Sequence, residues 1–131
     1  MYDLSYILTN PKYKKCFLLI KTLIFTYHGL NEEELELLDL TAQRINGRAE
    51  LDWALEFVKS DEKTAFMRTK EFFEANFSEE TTGIKLFILE ETWIDNNKKG
   101  FITELEAVAL LKFSKVLHVE KEFLSIVRTT A

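Results

Sequence analysis

Between the Asn10-Pro11 pair and Gly29, apolar residues recur every three or four positions: Tyr13, Cys16, Phe17, Ile20, Leu23, Ile24 and Tyr27. That spacing lays them along one face of a long amphipathic helix. Asn10 supplies a capping side chain, and Pro11 suits the first helical position. Gly29 ends the helix, because glycine takes a left-handed terminus at little cost. The run CFLLIKTLIF inside this helix is about half the ~20 residues needed to span a bilayer, and Lys21 interrupts it. It reads as a core helix.

The remaining chain continues at helical period. Asn31 caps a second helix whose Leu35, Leu38, Ala42 and Ile45 face one way until Gly47. Leu51, Leu55 and Val58 follow, then Phe66, Phe73 and Phe77 after a cap at Asp61, with Ser78 as the next start. Ile84, Phe87 and Ile94 lie along the helix after that. Thr103 restarts the pattern with Ala107, Leu110, Leu111 and Leu117 inward, and Phe123, Ile126 and Val127 form a short closing helix. No run alternates at strand period. Eleven Phe against four Gly and one Pro leave little turn chemistry for a many-stranded sandwich. The expected fold is all-α: one compact bundle of about seven helices in a single domain over residues 1–131.

A net charge of −5 disfavours nucleic acid as a partner, because phosphate neutralisation needs a basic face. The single cysteine, Cys16, excludes an internal disulfide and paired-cysteine zinc motifs, and its apolar setting points to a buried, inert thiol. No apolar run is followed by a signal-cleavage pattern, so a soluble cytoplasmic protein is expected.

The sequence contains a weak internal repeat. A long apolar helix ending in YHGLNEEELELL finds an echo in TWIDNNKKGFITELEAVALL, with Gly29 matching Gly100. Each unit runs helix, glycine turn, apolar residue, cap, two residues, acid, helix. This duplicated unit resembles the tellurite-resistance TerB-like family of small all-helical bacterial domains, over Lys12 to Val127. The family pattern is an apolar helix, Ala-Asp-Gly, a variable residue, Ile or Leu, Ser or Thr, two variable residues and Glu. GFITELE, Gly100 to Glu106, follows it, and the first unit matches at Gly29, Leu30 and Glu34 with one residue missing. The resemblance implies a stress or tellurite-resistance setting and divalent-metal binding by the motif acids. His28 and Lys99 stand where the family has Asp, so Glu34 and Glu106 alone transfer directly.

DNNKKGFITELE, Asp95 to Glu106, also has the outline of a calcium loop, with Asp95, Asn97, the Phe101 carbonyl and Glu106 as oxygen donors and Gly100 at the sharp turn. Lys99 occupies the fifth position, where an oxygen ligand belongs. A looser divalent-cation site would use Glu91, Asp95, Asn97 and Glu106, since Glu91 and Asp95 stand four apart on one helix face. No other cofactor is indicated. The competing reading is local: Thr103 to Glu106 and Asn31 to Glu34 are capping boxes, and acids in a first turn suit the helix dipole.

Glu32 to Asp39, EEELELLD, reads as a solvated acidic helix face. In functional terms, Glu32, Glu33, Glu36 and Asp39 make a docking surface for a basic partner. Trp53 and Trp93 are interface-anchor candidates, although core positions suit both. His28 and His118 lack metal-spaced partners and read as helix-end or surface residues. Nothing resembles a phosphate cradle or a nucleophile–base set. The expected activity is non-enzymatic: protein interaction, with divalent-cation binding as the alternative, inhibition of a basic toxin as a third reading, and a homodimer left open.

Overall fold

Ten consecutive residues, Cys16 to Phe25, have every side chain buried, Lys21 and Thr22 among them. A helix enclosed on all sides is the axis of a bundle rather than part of its wall. In the computed structural model of the chain, this is α1, Pro11–Thr26. Residues 7, 9–27, 29–97 and 104–130 are described, and the side chains at 95–97 and 130 lie outside that set. Around α1 stand α2 (Glu32–Arg44), α3 (Arg48–Lys59), α4 (Ala65–Asn76), α5 (Thr82–Asn97), α6 (Glu104–Val116) and α7 (Glu120–Thr130). Among the described residues there is no strand, and the architecture is an all-α bundle. α1 packs against α2, α3, α4, α5 and α6, while α7 closes over α5 and α6.

Local chemistry fixes the helix ends. Asn10 Oδ1 accepts the Lys12 N–H at 2.9 Å with Pro11 beginning the helix, as the sequence indicates. Beyond the other end, Gly29 (φ +96°) and Leu30 (φ +49°) are both left-handed. Their N–H groups donate to the Thr26 and Phe25 carbonyls at 3.0 and 3.3 Å. Asn31 Oδ1 then caps α2 by accepting the Glu34 N–H at 3.0 Å.

Gly47 plays a different part from the one its sequence position suggests. Asn46 (φ +52°) takes the left-handed turn that ends α2, and Gly47 is already the N-cap of α3. A Cβ at Gly47 would lie 3.1 Å from Leu18 Cδ1, so glycine lets the α2–α3 corner close onto α1. Two other expected starts also move. Asp61 Oδ1 accepts the Lys63 N–H in a turn ahead of α4, which begins only at Ala65. Ser78 Oγ donates back to the Glu74 carbonyl at 2.7 Å, closing α4. The cap of α5 is Thr81, whose Oγ1 accepts the Ile84 N–H at 3.4 Å.

Aromatic rings join the outer helices. Phe113 of α6 lies 5.0 Å from Phe66 and 5.3 Å from Phe73 of α4, and Phe73 continues to Phe77 at 5.8 Å. Trp93 of α5 meets Phe123 of α7 edge-on at 6.3 Å, which makes it a core residue. Half-buried Trp53 of α3 sits between Phe57 and Phe72 with Lys15 Nζ 5.1 Å from its ring, so its indole is engaged within the bundle. No helix among the described residues is long and apolar enough to cross a membrane.

Candidate functional site

The two halves of the repeat correspond in three dimensions. α1 and α5 are each 16 residues long, and α2 and α6 are each 13. In the first half Lys14 Nζ donates to the Asn46 carbonyl at 3.0 Å, and in the second Lys85 Nζ donates to the Leu117 carbonyl at 3.1 Å. Each bond joins the first turn of one helix to the C-terminal end of the next, where cations complement the helix dipole. Asn46 and His118 (φ +61°) are the left-handed residues that end α2 and α6, and the Gly47 and Val119 N–H groups donate to the Ala42 and Ser114 carbonyls at 2.8 and 2.9 Å.

The motif acids are also equivalent. Glu34 and Glu106 are each the third residue of their helix, and both are fully buried, at 1% and 0% exposure. The acidic stretch of α2 is therefore not uniformly solvated: Glu34 turns toward the core with Leu38, Thr41 and Ala42. Within the first half, between α1 and α2, buried Lys21 donates to Thr41 Oγ1 at 3.0 Å, and Thr41 in turn donates to the Leu37 carbonyl at 2.9 Å. The Lys21 Nζ also lies 5.0 Å from the centre of the Phe17 ring. Hydroxyl and π face take the place of water around a buried ammonium.

For the cation site expected from sequence, Glu106 is buried on α6 and Glu91 is half-buried on α5. The side chains of Asp95 and Asn97, together with His28, Lys98, Lys99, Gly100 and Thr103, lie outside the described residues. Among the described residues, no three His, Cys, Asp or Glu side chains are grouped so as to hold a metal ion. Cys16 is buried, and burial pushes its thiol up to about 12, with the Lys12 charge opposing and the Glu80 charge adding to the rise.

Glu32, Glu33, Glu36 and Asp39 are all exposed on α2, the outward complement of buried Glu34 and Leu38. Asp39 is committed: it accepts from Arg48 Nη1 at 2.6 Å, and the same guanidinium reaches Asp52 at 3.0 Å. Glu32, Glu33 and Glu36 make no ion pair with any described residue. Beside them Leu40 is 51% exposed. The outer face of α2 thus offers three uncommitted carboxylates and one apolar anchor.

Comparisons with family models, with curated proteins and with solved structures find no match for the chain.

Lys14, Lys85 and Lys21 escaped the sequence reading as structural groups. Lys21 carried a signal, a cation inside an otherwise apolar run. For Lys14 and Lys85 the available signal was their equal distance from the two helix starts. It becomes meaningful only once the halves of the repeat are aligned from their caps.

Proposed function

We propose that this chain is a non-enzymatic interaction domain of the TerB-like kind, working in a bacterial stress-related setting, and that it docks a basic protein surface on the outer face of α2. The observation carrying this reading is that Glu32, Glu33 and Glu36 stand exposed together, without ion pairs among the described residues, on a helix whose inner face is anchored by Glu34 and Leu38. Carboxylates fixed on a rigid element steer a cationic partner and set its orientation. Leu40 supplies apolar contact at the same surface. The test is co-purification from the native cell at low and at raised salt. A defined basic partner should be retained at low salt and lost as screening shortens the reach of the carboxylates. Recovery of no defined partner across several growth conditions, from a chain that also stays monomeric, would defeat the reading.

A second reading rests on the complete burial of Glu106 in the first turn of α6, since a carboxylate oxygen is the kind of ligand a hard cation takes. The binding set would be Glu91, Asp95, Asn97 and Glu106. Titration calorimetry with calcium, magnesium and zinc decides it: absence of heat, together with an unshifted melting temperature, removes the cation.

A further inference from the structure

Helix α6 presents an unusual outer face. Its Glu106 is wholly buried, while Leu105 and Val108 are 64% and 39% exposed. Leu105 and Val108, with Tyr27 beyond α1 and Phe66 of α4, line a groove of about 290 Å³. On the other flank Val108, Leu111, Lys115 and Leu124 of α7 line a second, of about 380 Å³. Val108 and Lys112 border both, so the two hollows form one apolar strip along α6. Its charged margin carries Lys112 and Lys115 along α6, with exposed Glu104 one turn before Val108 and Glu120 at the α7 end. Lys112 Nζ stands 5.5 Å from the Phe66 ring centre, and exposed Lys115 makes a 3.6 Å pair with Glu120.

We propose that this strip receives the outer face of α2 from a second copy of the chain. The argument is complementarity of both kinds. The strip offers apolar area with Lys112 and Lys115 at its edge, and α2 offers Leu40 with half-buried Leu37, flanked by Glu33 and Glu36. A chain of net charge −5 repels its own copies in most orientations, so a contact that sets these lysines against these glutamates selects one orientation from the rest. The inference rests on the acidic-face reading of α2 and gives that face a specific occupant.

Sedimentation equilibrium of the full chain tests it. At low salt the average mass should rise above the monomer as concentration increases to about 1 mM, and the rise should disappear at high salt. Two exposed-site double variants, Lys112→Glu with Lys115→Glu and Glu33→Lys with Glu36→Lys, should each remain monomeric. Mixed in equal amounts they should associate again, because each reversed face then meets its opposite. Circular dichroism checks that both variants are folded. A wild-type chain that stays monomeric throughout, variants that associate as the wild type does, or a mixture that fails to recover association would each overturn the proposal. A monomeric chain that still retains a basic partner through α2 would remove the second copy and leave the acidic-face reading standing.

Discussion

Lys14 and Lys85 hold the same place in two helical units, each the fourth residue of a 16-residue helix and each bonded across 32 residues of chain to a carbonyl at the end of the next helix. Both residues are largely buried, at 9% and 7% exposure. The pair makes the duplication a physical device. Each unit locks its own second helix to its first, and α3 and α4 lie between the two in the chain.

Replacing either lysine with methionine keeps most of the stem's packing but removes a charged hydrogen bond. A bond of that type contributes about 1.5–3 kcal/mol. Urea unfolding should therefore show a loss of roughly that size for Lys85→Met and for Lys14→Met. Losses below a few tenths of a kcal/mol in both would refute the capping role.

Alanine at Gly47 and at Gly29 should destabilise for different reasons. Gly47→Ala forces a Cβ to 3.1 Å from Leu18 Cδ1 and to 3.2 and 3.3 Å from Ile45 Cγ1 and Cδ1, an overpacking cost of about 1–3 kcal/mol of which Leu18→Val should relieve the Leu18 share. Gly29→Ala meets nothing within 4 Å but must hold φ at +96°, so its loss should not respond to any change at Leu18. Thermal melts of the two single variants and of each combined with Leu18→Val separate packing from backbone strain.

Acid sensitivity should centre on Glu80. Burial pushes its carboxyl upward, but hydrogen bonds from Lys12 (2.9 Å) and the Tyr13 hydroxyl (2.9 Å), with the charges of Lys12 and Lys85, outweigh this and hold it below the ordinary carboxylate range. A depressed folded-state value means that the stabilisation is complete above the unfolded carboxylate's pKa and is lost as pH falls through the folded one. Stability measured downward through the carboxylate range should decline less steeply for Glu80→Gln than for the wild type. Parallel curves would contradict the assignment.

Cys16 should be silent in the native protein. With the thiol buried and pushed up to about 12, a thiolate-selective reagent should label it only at the rate of unfolding and at once in denaturant. Rapid native labelling would mean that α1 is more accessible than its packing indicates.

Much of this organisation was legible in the sequence, and the failures have specific causes. The apolar period from Tyr13 to Tyr27 gave α1 with its cap at Asn10, because periodicity and capping are local. Gly47 was misread as a helix stop: a glycine can serve a left-handed turn or a close approach, and the Leu18 contact that decides between them is remote in sequence. Asp61 and Ser78 looked like helix starts because each can bond nearby backbone, and the chain uses both in the turns around α4 instead. Glu34 and Glu106 were legible as first-turn acids. Their inward orientation depends on how α2 and α6 sit against α1, which no local spacing reveals. The acidic face was visible as EEELELLD, but only the fold shows that Asp39 belongs to Arg48 and that Glu34 belongs to the interior.

The central claim is that the exposed carboxylates of α2 are the docking surface. Its most direct measurement compares capture of the native partner by the wild-type chain with capture by the triple variant Glu32→Gln, Glu33→Gln, Glu36→Gln at low salt. These side chains are exposed, and the loss of Glu32 and Glu33 from the first turn of α2 should cost only about 0.3–1 kcal/mol each, so the variant stays folded. The account predicts that the wild type retains a basic partner and that the triple variant loses it. Equal capture by both proteins would contradict it.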